Sequence, residues 1–165
     1  MLRTPTRRTF VKGLGAATTL AGLGLWRPLA QAADGRDLAG QHFELSVGQS
    51  AVNITGRPRT ALTVNNSLPG PVLRWREGDT VSLRVRNHLD QATSIHWHGI
   101  LLPANMDGVP GLSFAGIEPG GSYLYQFTLR QSGTYWYHSH SGLQEQAGVY
   151  GAIVIEPREP EAHQY

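Results

Sequence analysis

The chain of 165 residues contains no cysteine, which removes disulfide cross-links and thiolate metal ligands together. Methionine occurs only at Met1 and Met106, so a methionine-rich tract for soft metal ions is also missing. Long apolar runs are scarce. The stretch from Leu14 to Trp26 covers about 13 residues and holds several glycines, short of the roughly 20 that a spanning helix needs, so no stable membrane span is expected. Sustained 3.6-residue apolar periodicity is absent as well, which argues against a helical bundle.

Basic charge is scarce once the N-terminus is set aside. Residues 1–32 read as an export signal: a cationic start, an apolar middle, and Ala30-Gln31-Ala32 as a small-x-small cleavage site. The segment Arg7-Arg8-Thr9-Phe10-Val11-Lys12 resembles a bacterial twin-arginine signal, which predicts a periplasmic protein. Gly13-Leu14-Gly15 follows no strand and lies within this leader, so it is not a nucleotide loop. Arg3, Arg7, Arg8, Lys12 and Arg27 all belong to the leader, leaving nine arginines against twelve acidic residues. The pI near 9.2 therefore describes the leader, and a nucleic-acid partner is not expected. Arg74, Arg76, Arg84 and Arg86 alternate along their strands and read as a solvated face.

The remaining 133 residues suffice for one domain with one core. They break into short strands punctuated by turn residues, an all-β pattern. Strands are expected over Phe43 to Val47, Val52 to Ile54, Thr60 to Val64, Val72 to Trp75, Thr80 to Asn87, Ser94 to His98, Ser122 to Thr128, Gly133 to His138 and Gly151 to Glu156. Val81, Leu83 and Val85 alternate with Ser82, Arg84 and Arg86, the signature of a strand with one buried face. The predicted architecture is a Greek-key β-sandwich or barrel spanning residues 33–157, with residues 158–165 as the start of a polar linker. A linker with nothing after it leads to the expectation of a truncated or fragmentary chain. Pro103 to Gly116 interrupts the strand rhythm with a loop, where function tends to sit, and Asp107 lies in it.

What stands out positively is two histidine pairs, His96-Trp97-His98 and His138-Ser139-His140. Residues i and i+2 of a strand point to one face, so each pair can aim two imidazoles at one point. Imidazole suits copper, zinc, iron and nickel alike, so the spacing predicts a metal without choosing among them. His42, His88 and His163 lack paired spacing and are expected at the surface. Trp97 and Trp136 are expected in the core or between the sheets. Asp107 precedes Gly108 and is equally readable as an Asx-turn residue.

These motifs lie in a wider pattern: Gly70-Pro71, Trp75-Arg76-Glu77-Gly78-Asp79, Asn87-His88-Leu89, Ser94 to Gly99, Met106 to Gly111 and Gly133 to His140. Together they resemble the first cupredoxin domain of the multicopper oxidases. Gly142-Leu143-Gln144-Glu145-Gln146 and the leader are similar to the periplasmic copper-resistance members. The resemblance implies a cupredoxin-like fold and copper as cofactor, with His96 a ligand of the type 2 copper and His98, His138 and His140 ligands of the type 3 pair. It also implies that Asp107 assists proton delivery to bound oxygen. In the family four further histidines and a type 1 cysteine come from the last domain. The implied partners are copper ions, O2 and the remaining cupredoxin domains, and the implied activity is oxidation of Cu(I) or phenolic substrates coupled to reduction of O2 to water. With four such histidines and no cysteine, this chain alone is expected to be incomplete and inactive. Two other readings stand beside this one: a stand-alone module that sequesters periplasmic copper without turnover, and a metal-free sandwich that docks a partner.

Overall fold

A computed structural model describes residues 37–159. The export signal, the domain start near Ala33 and His163 lie outside the described residues. The elements are β1 (Asp37–Ala39), β2 (His42–Val52), β3 (Arg59–Val64), β4 (Val72–Arg76), β5 (Thr80–Asn87), β6 (His96–His98), β7 (Ser122–Thr128), β8 (Gly133–His138), α1 (Gln144–Ala147) and β9 (Tyr150–Glu156). They form a five-stranded sheet in the order β1-β4-β9-β8-β6 and a four-stranded sheet in the order β3-β2-β5-β7. From β3 to β8 the chain alternates between the two sheets, the crossing pattern of a Greek-key sandwich. Among the described residues no helix is long and apolar enough to cross a membrane.

The period-2 patterning drives this arrangement. Val81, Leu83 and Val85 of β5 are fully buried, as are Leu45 and Val47 of β2 or nearly so, and both strands present that face to the opposite sheet. Trp97 is completely buried and packs against Trp75, Tyr125, Phe127 and Tyr137 at ring separations of 5.2–6.1 Å. Tilted and edge-on pairs of this kind contribute about 0.5–1.5 kcal/mol each beyond area burial. Tyr137 fits only because Gly151 is beside it, where a Cβ would overlap the phenol ring. Its hydroxyl donates to the Pro71 carbonyl at 2.9 Å.

The strand predictions hold for most elements and differ at informative places. Phe43 to Val47 and Val52 to Ile54 are not two strands. One long β2 pairs first with β5 in parallel and then with β3 in antiparallel register. Gly48-Gln49-Ser50 continues the ladder because it lies alongside β3, where Ser50 and Thr63 hydroxyls bond at 3.2 Å. The strand expected from Ser94 starts at His96, since Thr93 instead exchanges backbone bonds with Ile117. Strand β1 carries too few residues to be visible as a pattern and is fixed by β4, with Arg74 donating to Asp37 at 2.9 Å. The arginines do not share one face. Arg74 and Arg76 belong to the five-stranded sheet, while Arg84 and Arg86 belong to the other and flank Glu44.

Candidate metal centre

Register brings the histidine pairs together. In the antiparallel β6·β8 ladder His96 lies opposite His138, Trp97 opposite Tyr137 and His98 opposite Trp136. The odd-numbered pair, Trp97 and Tyr137, goes into the core, so His96, His98 and His138 must all face the other way. A slip of one residue would drive imidazoles into the core and expose the aromatics. The buried tryptophan thus fixes the orientation of the two histidines beside it.

Four rings converge on that outer face. His96 lies 5.6 Å from His98, 5.4 Å from His138 and 4.6 Å from His140, measured between ring centroids. Ligand atoms of His96, His138 and His140 all lie within 4.8 Å of one another. His98 joins through a different edge, with its Nδ1 3.1 Å from His138 Nε2. Two nitrogens at about 2.0 Å from one tetrahedral ion sit roughly 3.3 Å apart, so this pair already has the separation that one metal requires. Trp136, expected in the core, is on the histidine face instead. It stacks on His138 at 4.1 Å and lies 5.2 Å from His98, because it shares β8 parity with His138 rather than with Tyr137.

The far side of the rings is held by oxygen acceptors. His96 Nδ1–H donates to the Asp107 backbone carbonyl at 2.8 Å, with the Asp107 carboxylate at 3.3 Å. His138 Nδ1–H donates to the Ser139 carbonyl at 3.1 Å, and the Glu145 carboxylate lies 2.9 Å from the same nitrogen as an ion-pair contact. An imidazole that donates through Nδ1 keeps the Nε2 lone pair free when neutral. Burial is the main reason that His138 and His140 are held below the ordinary imidazole value near 6.5, and the His96 ring adds to it in both cases. The Asp107 loop reaches His96 because Gly108, at φ 72°, packs directly on the Ile95 carbonyl where a Cβ would collide.

A polar clamp behind the site joins the segment before β6 to the segment after β8. The Gln144 side-chain oxygen accepts from Thr93 at 2.6 Å and from Ser139 at 2.9 Å, and its amide donates to the Ala92 carbonyl at 2.8 Å. Ser94 and Ser141 hydroxyls bond at 3.0 Å, and the His140 backbone N–H donates to Ser94 at 3.0 Å. Thr93, Ser94 and Gln144 are buried. The sequence offers Glu145 and its flanking glutamines equally as support for the site and as caps of the segment after His140, but does not single out Thr93 and Ser94. Their signal was a run of small polar residues immediately beside each histidine pair. His42 and His88 are exposed and stand apart from the cluster.

A profile of the multicopper oxidase family matches residues 46–160. The chain belongs to the multicopper oxidase family. Copper resistance protein A of Pseudomonas syringae pv. tomato is 68% identical over 164 residues, covering 97% of this chain and 27% of that protein. Copper resistance protein A of Escherichia coli is 59% identical, covering 100% of this chain and 28% of that protein. The chain thus spans little more than a quarter of the length of these curated relatives. Among solved structures, a multi-copper oxidase from Pseudomonas thermotolerans superposes with a TM-score of 0.71 at 36% identity, over 78% of this chain and 32% of that one. The two-sheet sandwich is therefore a cupredoxin-like fold of this oxidase family, and copper is the family's cofactor.

The donor set fits copper. All four candidate ligands are imidazoles, which serve copper in either oxidation state. The Nδ1 bonds of His96 and His138 leave Nε2 unprotonated on both rings, and His98 Nδ1–H donates to His138 Nε2 at 3.1 Å, a bond that a metal held by both nitrogens would replace.

Proposed function

We propose that this domain, residues 33–157, supplies half of the ligands of a trinuclear copper cluster in a longer periplasmic oxidase of copper resistance. In this reading His96 holds the type 2 copper, and His98, His138 and His140 hold the type 3 pair. The observation that carries it is the convergence of all four imidazoles on one face outside the sandwich core, with His98 Nδ1 and His138 Nε2 only 3.1 Å apart. Copper bound there would supply one-electron chemistry toward O2.

The chain's own residues do the rest. The backbone carbonyls of Asp107 and Ser139 fix which nitrogen of His96 and His138 faces the metal, and the Gln144 clamp keeps the two histidine segments in register. The Asp107 carboxylate, partly exposed beside His96, is placed to pass protons between solvent and reacting oxygen. The remaining ligands and the type 1 copper that receives electrons from Cu(I) or phenolic substrates would come from further cupredoxin domains. Residues 1–32 would direct export by the twin-arginine route, and residues 158–165 would begin the interdomain linker.

Titrating the chain with Cu(I) and Cu(II) tests the ligand assignment. Binding that is lost in a His96→Ala, His138→Ala double variant is the expected result, and no binding by the parent overturns it. Reading the coding sequence beyond residue 165 tests the rest: further cupredoxin domains with an H-C-H motif are expected. If none follows and copper binds without O2 consumption, the chain is a copper-sequestering module instead.

A further inference from the structure

The two ring donors behind the site are not held alike. His96 has a backbone carbonyl as its nearer acceptor, at 2.8 Å, with a carboxylate farther away at 3.3 Å. His138 Nδ1–H also donates to a backbone carbonyl, that of Ser139 at 3.1 Å, but the Glu145 carboxylate lies closer to the same nitrogen, at 2.9 Å, as an ion-pair contact. A main-chain carbonyl comes with any residue at that position, whereas the carboxylate on His138 depends on one side chain.

Glu145 is delivered by construction rather than by chance. It follows Gln144, whose side chain is buried and carries three bonds to Thr93, Ser139 and Ala92. The short helix α1 closes back on the strand, with Val149 N–H donating to the Gln144 carbonyl at 2.9 Å and Ser139 N–H to the Val149 carbonyl at 3.0 Å. This pins the backbone of Gln144 and leaves the neighbouring side chain, one third exposed, directed at His138 Nδ1. Trp136 stacks on the same ring, so its plane and its hydrogen bond are both fixed.

We infer that Glu145 is a positioning residue for copper: its carboxylate, 2.9 Å from His138 Nδ1, puts a negative charge behind the ring that the Ser139 carbonyl orients, and favours Cu(II) over Cu(I) at that ring. The inference rests on the reading of His138 as a copper ligand. A carboxylate partner makes an imidazole a stronger base, and the extra negative charge stabilises the more highly charged ion more. Replacing such a partner typically weakens metal binding by 10–100-fold.

The test compares the parent chain with Glu145→Gln, Glu145→Leu and His138→Ala, using chelator competition for Cu(II) and for Cu(I) separately. Glutamine keeps the size and polarity of the side chain but carries no charge. Glu145→Gln is expected to weaken Cu(II) by about tenfold while Cu(I) affinity changes much less. Glu145→Leu removes the same charge and is expected to do the same. The copper-free proteins are expected to melt alike, because Glu145 is partly solvated and takes no part in the buried clamp. Parent binding that is lost in His138→Ala but unaltered in both Glu145 variants, or weakened equally for the two ions in Glu145→Gln, overturns this inference alone. Absence of copper binding by the parent overturns the ligand assignment and this inference with it.

Discussion

His96 and Asp107 are joined more closely through the main chain than through the side chain: Nδ1–H of His96 donates to the Asp107 carbonyl at 2.8 Å, while the carboxylate stays at 3.3 Å. Orientation of the ring and delivery of protons are therefore separable roles of one residue. Asp107→Asn is expected to leave copper content and the His96 tautomer, read by 15N NMR, as in the parent. In the longer oxidase the same change is expected to slow O2 consumption by roughly 100-fold or more, the scale of losing a positioned proton donor. A parallel fall in copper content would mean that the side chain holds the ring after all.

Trp136 offers the second prediction. It is half-buried on the metal-facing side and stacked on His138 at 4.1 Å, so it restrains a ligand rather than filling the core. Trp136→Ala is expected to lower stability by about 1–3 kcal/mol, less than truncation of a fully buried tryptophan, and to weaken copper binding by loosening the His138 ring. Trp136→Phe keeps a stacking face and is expected to recover most of the copper affinity. Copper binding unchanged in Trp136→Ala would show that the bond to Ser139 and the ion-pair contact with Glu145 orient His138 unaided.

The strands and the histidine face were legible in the sequence because both depend on a period of 2, which local composition displays directly. Val81 to Val85 and the H-x-H pairs are read without knowing their neighbours. The long β2 was not legible, since whether Gly48-Gln49-Ser50 turns or continues depends on Thr63 lying across from it. Trp136 was misplaced for a related reason: hydrophobicity put it inside, while its parity with His138 put it outside. The Gln144 clamp was beyond local reading because its bonds join residues about 50 positions apart, Thr93 and Ala92 on one side and α1 on the other.

Gly108 gives a third prediction, one that connects backbone to site. At φ 72° and against the Ile95 carbonyl, it allows the Asp107 loop to lie directly on the start of β6. Gly108→Ala adds a Cβ that must push the loop away, at the cost of a left-handed alanine, about 1 kcal/mol or more, plus the steric clash. The expected outcome is a melting temperature several degrees lower and loss of the His96–Asp107 hydrogen bond, seen as a changed His96 tautomer ratio. Parent-like melting and an unaltered tautomer would show that the loop has slack that the packing does not reveal.

The buried phenols predict how stability depends on alkaline pH. Burial pushes the hydroxyls of Tyr125 and Tyr137 well above their ordinary value near 10. Below about pH 10 both folded and unfolded chains keep these protons, and the two groups leave stability independent of pH. Above it the unfolded chain releases them while the folded chain retains them. The unfolded state then binds fewer protons, so stability falls as pH rises, by up to about 1.4 kcal/mol per pH unit for each tyrosine. Urea unfolding between about pH 9 and 11 should show this decline setting in near pH 10. Tyr137→Phe is expected to be less stable than the parent at neutral pH by about 1 kcal/mol, through loss of the bond to Pro71, yet to lose stability more gradually as pH rises. An identical slope in the variant would mean that Tyr137 ionises as readily in the folded chain as in the unfolded one, which its packing between Trp97 and Gly151 does not permit.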